Sequence, residues 1–135
     1  MKKLLLLSAL LIFACSSDDS NNNTSGTTDN SFNPPNWIQG VWLDEDFPIE
    51  FGYEFRPDNI CIINSSQATC YKYYIDLYQD APNITTEVYE ISSDSTYYVV
   101  FTYAGAEQTF EFEKISPNSI NQIQGILQTG IYTKQ

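Results

Sequence analysis

Three cysteines and ten tyrosines hold most of the side-chain chemistry open to this 135-residue chain, which has no histidine. Without imidazole, His-dependent nucleophile activation and the usual histidine-bearing zinc hydrolase sites are excluded. Cys61 and Cys70 stand with eight residues between them, and two thiols alone lack the partners for a closed zinc site. Set directly opposite each other in a hairpin looping at 64–67, they place Ile60 against Tyr71 and Ile62 against Thr69. One face then reads Ile60, Ile62, Tyr71, Tyr73, Ile75 and Leu77; the other carries Cys61, Cys70, Lys72 and Asp76. This register predicts a cross-strand disulfide, with a loop-closure contribution of about 2.7 kcal/mol. No glycine-rich phosphate loop is present, and nothing singles out a pair of carboxylates for glycoside hydrolysis. The reading is therefore of a protein that is no enzyme, with no catalytic residue, no metal ligand and no cofactor.

The third cysteine, Cys15, has a different setting. Lys2 and Lys3 precede an apolar run over 4–14, and small Ala14 stands just before the cysteine. A run that short suits a signal peptide and cannot span a bilayer as a helix. Ile12-Phe13-Ala14-Cys15 resembles the bacterial lipobox, which implies that Cys15 becomes the mature N-terminus and carries acyl chains. An ordinary cleaved signal with a chance cysteine is the alternative. Several acyl chains anchor far more firmly than one. The resemblance thus implies a membrane partner through the lipid on Cys15, and export to a space that permits disulfides. Ser16-Ser17-Asp18-Asp19 resembles the Ser/Asp-rich export signal of surface-exposed Bacteroidota lipoproteins; plain tether composition is the other reading. Together these resemblances imply an outer membrane lipoprotein exposed at the cell surface, with the periplasmic face as the alternative.

Removal of 1–14 leaves four cations, Arg56, Lys72, Lys114 and Lys134, against 17 acids, a formal charge of −13. Such a surface repels nucleic acid and anionic headgroups and favours solubility, cations or basic partners, a solvated acidic exterior being the plain reading. Residues 16–36 are rich in Asn, Ser, Thr, Gly and Asp and offer little besides Phe32 to bury. They read as a flexible tether spanning roughly 25 Å. The domain plan is thus a signal over 1–14, a lipidated tether over 15–36 and a folded domain over 37–135.

In that domain helical periodicity is missing and period-two alternation recurs between turn signals. Ile49, Phe51, Tyr53 and Phe55 share one face, with Glu50, Gly52 and Glu54 on the other; Phe110 and Phe112 alternate with Thr109, Glu111 and Glu113. Further strands are expected at 37–43, 60–63, 69–78, 84–91, 96–103, 119–123 and 130–134. The expected fold is all-β: a small antiparallel up-and-down barrel of about eight strands, whose closure removes exposed edges. An eight-stranded barrel is just filled by side chains or holds one small ligand.

Gly40-Val41-Trp42, within "WIQGVW", resembles the first-strand Gly-x-Trp signature of lipocalins and lipocalin-like (calycin-type) domains. The resemblance implies that Trp42 packs at the closed base of the barrel, with Gly40 beside it. That superfamily often covers the Trp with an arginine near the last strand; Lys134 stands there in this chain. The tyrosines allow two readings, as strand filler or as the lining of a cup for a small apolar or glycan-like ligand. In the second, Tyr53, Tyr71, Tyr73 and Tyr103 are the candidates, while adjacent Tyr97 and Tyr98 must face opposite ways. Asp44–Asp46 reads as a solvated acidic loop, calcium being the rival. Asp94-Ser95-Thr96 resembles a short Bacteroidota O-glycosylation sequon. The function expected is that of a cell-envelope lipoprotein binding a small ligand in its barrel. The alternative is a non-catalytic structural or protein-interaction module with a filled barrel.

Overall fold

The computed structural model describes residues 27–135. The signal peptide expected over 1–14, Cys15 and the Asp18-Asp19 pair lie outside the described residues. No helix among the described residues is long and apolar enough to cross a membrane.

The strands are β1 (Thr27–Asp29), β2 (Gly40–Leu43), β3 (Phe51–Arg56), β4 (Asn59–Asn64) and β5 (Gln67–Cys70), then β6 (Glu87–Ser92), β7 (Thr96–Tyr103), β8 (Ala106–Ser116), β9 (Ser119–Gln124) and β10 (Gly130–Lys134). One helix, α1 (Tyr71–Tyr78), separates β5 from β6. All strands join one sheet in the order β1-β6-β7-β8-β9-β10-β2-β3-β4-β5. The nine strands β2–β10 form an antiparallel up-and-down sheet curled through 246° into an open half-barrel, and β1 adds to its β6 edge. Chain neighbours pair from β2 to β5 and from β6 to β10, and β10 closes back on β2 through Thr133–Leu43 and Lys134–Trp42.

The expected closed barrel is thereby corrected in one place. The sheet stays open between β5 and β6, because residues 71–78 do not continue β5 as a strand. Three i,i+4 relations favour a helix there. Tyr71 and Ile75 are both buried, Tyr74 and Tyr78 repeat that spacing, and Lys72 pairs with Asp76 at 2.9 Å. Asn59 Oδ1 accepts the Lys72 backbone N–H at 2.9 Å, satisfying one of the free donors of the first turn. The predicted core face of this segment splits accordingly. Tyr71 and Ile75 go inside, while Tyr73 and Leu77 are 65% and 55% exposed. The helix lies across the opening and touches β4 on one side and β7 on the other.

The core is ring-rich and follows the alternation. Tyr53, Phe55, Ile60, Tyr97, Val99, Phe101, Phe110 and Phe112 are buried, whereas Glu54, Tyr98 and Glu111 on the opposite face are partly exposed. The folded domain starts earlier than composition suggests. Thr27–Asp29 pairs with β6, and Phe32 is buried with its ring 5.1 Å from that of Phe101. A single large aromatic amid polar residues is the reason this stretch packs.

Candidate functional site

The four tyrosines singled out as ligand contacts fall along one file of rings running from the core to solvent. Tyr53 is fully buried, with ring centroids 5.1 Å from Phe112, 5.4 Å from Tyr132 and 5.6 Å from Phe110. Phe110 meets Tyr71 at 5.8 Å, and Tyr71 meets Phe101 at 4.7 Å and Tyr103 at 5.8 Å. Tyr103 then meets Tyr74 at 5.6 Å, and Tyr74 meets exposed Tyr73 at 5.4 Å. These spacings are those of rings in direct contact. Burial lifts the Tyr71 and Tyr53 hydroxyls above the ordinary phenol range, with the neighbouring phenols adding to it. At the outer end of the file, Ala68, Thr69, Tyr73 and Tyr74 line a shallow depression of about 330 Å³.

The end of the sheet bearing the 57–58, 93–95 and 117–118 turns is here the lower end. Trp42 is fully buried there and donates its Nε1–H to the Ile38 carbonyl at 2.6 Å. The Lys134 ammonium sits 5.1 Å from the centre of the Trp42 ring. Gly40 makes this arrangement fit: its φ is +128°, and a Cβ there would come within 2.8 Å of Lys134 Cε. Beside it, Trp37 donates to the Ser93 carbonyl at 2.8 Å and lies 5.8 Å from the Lys114 ammonium. A buried carboxylate, Glu90, ties the incoming chain to the sheet. Its two oxygens accept the Asn33 N–H at 3.0 and 2.9 Å, and one also accepts the Tyr97 hydroxyl at 2.5 Å. Tyr97 is held well above its ordinary pKa by burial and then by the Glu90 charge.

Cys61 and Cys70 form the expected disulfide, and the register Cys61–Cys70, Ile62–Thr69 is the one read from the hairpin pattern. Cys70 is also the residue just before α1, so the bond pins the start of the helix to β4. Tyr71, expected opposite Ile60, turns into the helix instead.

The upper end carries the loops 44–50 and 125–129. Asp44 Oδ1 accepts the Asp46 N–H at 3.0 Å, which folds the acidic loop tightly. The Phe47 ring stacks on Phe51 at 4.7 Å yet remains 39% exposed. Two depressions of about 360 Å³ each flank it and share Phe47 and Asp44. Ile49 belongs to one and Ile131 to the other, and they are 47% and 60% exposed. Glu45, Asp46 and Glu50 complete the rim, with Ser66 donating to Glu50 at 2.6 Å. Tyr132, just inside, has its pKa pushed up to about 12 by burial and then by the Asp44 charge. Among the described residues no group of three or more acidic or thiol side chains is placed to hold a metal ion.

Sequence reasoning passed over this rim. Alternation puts Ile49 on one face with Phe51, Tyr53 and Phe55, but the ladder begins at Phe51 and Pro48 keeps Ile49 in the loop. The signal available was the sequence Asp44-Glu45-Asp46-Phe47-Pro48-Ile49-Glu50 itself. Large apolar side chains set among acids in a turn have no core to enter. Comparison of the chain with protein families, with curated proteins and with solved structures gives no match.

Proposed function

We propose that this chain is a non-catalytic, lipid-anchored module of the cell envelope that meets its partner on the outside of a filled, lipocalin-like domain. The observation that carries the reading is the packing of Tyr53 and Tyr71. Both were candidates to line a cup, and both are clasped between rings at 4.7 to 5.9 Å. Burying such rings against one another is worth more than area alone, so vacating the space for a ligand would cost several contacts at once. The lipocalin-like assignment draws on the β10–β2 closure and on Lys134 over Trp42, the position the Gly-x-Trp resemblance marks. The anchor and the outer membrane location draw on Ile12-Phe13-Ala14-Cys15 and Ser16–Asp19.

The test is a panel of small apolar and glycan probes titrated into the full mature protein, followed by aromatic NMR. The expected result is that the resonances of Tyr71 and Phe110 stay in place. Their displacement by a saturating probe would favour a ligand held inside. Anchoring is tested separately: Cys15→Ala should abolish labelling by palmitate and release the protein from the membrane fraction. Asp18→Ala with Asp19→Ala should reduce protease access on intact cells, and unchanged access would remove the sorting role.

A further inference from the structure

We infer that the upper rim around Phe47 docks a peptide segment presenting a Lys or Arg two residues from an apolar side chain. This rests on the outer-surface reading above and names its site and its partner's chemistry. Isolated exposed apolar residues are ordinary on a protein surface. Here Phe47, Ile49 and Ile131 converge instead on two adjoining depressions of about 360 Å³ each. A peptide in extended form places side chains i and i+2 on the same side, roughly 7 Å apart, so two of them can straddle the Phe47 ring and enter one depression each.

Charge selects which peptide. Asp44, Glu45, Asp46 and Glu50 surround the apolar residues, and among the described residues no basic side chain lines either depression. The four cations of the described residues are all engaged elsewhere. Arg56 pairs with Glu54 and Lys72 with Asp76, while Lys114 and Lys134 lie over Trp37 and Trp42. A partner's Lys or Arg supplies what the rim lacks: its stem lies along apolar surface while its head reaches the carboxylates. The apolar surface distinguishes this occupant from a simple cation. Charge alone leaves Phe47, Ile49 and Ile131 uncovered, and no cluster of metal ligands is assembled among the described residues.

The test is fluorescence anisotropy with the full mature protein in non-ionic detergent. The probe is a labelled, end-blocked Lys-Thr-Leu-Thr-Lys peptide. Its comparison peptide carries Glu for Lys, and spermidine serves as the charge-only competitor. The Lys peptide should bind and the Glu peptide should not. Phe47→Ala should weaken binding at least tenfold, as should Asp44→Asn with Asp46→Asn. The control pair Asp58→Asn with Glu113→Gln makes the same charge change away from the rim and should leave affinity within twofold. An equal loss in the control pair, an unaffected Phe47→Ala variant, absence of peptide binding, or spermidine competing as well as the peptide would each overturn the docking site. None of those results touches the outer-surface reading, which falls only if Tyr71 and Phe110 respond to a small-molecule probe.

Discussion

At the lower end of the curled sheet, two indole rings are each covered by an ammonium group from the same chain, Lys114 over Trp37 and Lys134 over Trp42. At the upper end, Phe47 is stacked on one side by Phe51 and ringed by carboxylates, with no cation of the described residues beside it. Both ends pair aromatic surface with charge. The lower end completes the pairing internally, and it buries Trp42 fully. A cation already held by the fold needs no further ordering, and its attraction to the ring is spent on stability. The upper end keeps the same kind of attraction unspent, which is the condition for using it on a partner.

The largest expected contrast between the ends is in stability. Trp42→Ala removes a fully buried ring and should cost about 3–5 kcal/mol. Phe47→Ala loses one stacking contact at the surface and should cost about 1 kcal/mol or less. Urea denaturation midpoints measure both. Comparable losses would mean that the upper rim is part of the structural core, and the division between the ends would collapse.

Next in size is the disulfide. Cys61→Ser with Cys70→Ser should destabilise by about 2.7 kcal/mol from loop closure alone. Cys70 immediately precedes α1, so the loss should also raise hydrogen exchange across 71–78. Peptide affinity at the Phe47 rim should not change, because neither cysteine borders it. A parallel loss of affinity would show that the rim depends on the seam closed by the helix.

High pH separates the ends further. Free tyrosine ionises near pH 10, while Tyr132 at the upper end is raised to about 12 and Tyr97 stands well above 10. Folded values above the unfolded one mean that the stabilisation is complete below about pH 10. It is lost as pH rises toward the folded values, since the unfolded chain releases those protons first. Phenolate absorbance followed alongside circular dichroism should show Tyr97 ionising only as the fold is lost. Asp44→Asn should bring the Tyr132 value down and leave Tyr97 unmoved. No change at Tyr132 would detach Asp44 from that end of the sheet.

How legible these regions were depends on whether local pattern or long-range packing decides them. The ladder around Tyr53 and Phe112 was readable because alternation is fixed by the pleat itself. The disulfide followed from the same register. Residues 71–78 read as a strand because tyrosine and isoleucine favour strands. Yet the helix is set by the i,i+4 burial of Tyr71 and Ile75 and by Asn59, thirteen residues away, at its first turn. The opening between β5 and β6 follows from that one segment. Composition likewise placed Phe32 in a tether, since its partner Phe101 is remote in sequence. The Phe47 rim was hidden by its simplicity. Acids and Pro48 marked it as a loop, and only the three-dimensional closeness of Ile131 makes the exposed side chains one surface.

The smallest effect is also the most direct trial of the comparison. Ile131→Lys places an ammonium beside Phe47, Asp44 and Asp46, giving the upper end the internal cation that Lys134 gives the lower. As an exposed ion pair it should add only about 0.2–1 kcal/mol. It should nevertheless lower affinity for the Lys-Thr-Leu-Thr-Lys peptide severalfold, because the rim's carboxylates then have a cation of their own. Ile131→Gln controls for loss of the apolar side chain without adding charge, and should weaken binding less. Lys134→Met is the mirror change: it keeps a stem over Trp42 and removes the charge, at about 0.5–2 kcal/mol, with no effect on the peptide. If Ile131→Lys and Ile131→Gln weaken the peptide equally, the missing cation is not what keeps the upper end open, and shape alone must account for the difference between the two ends.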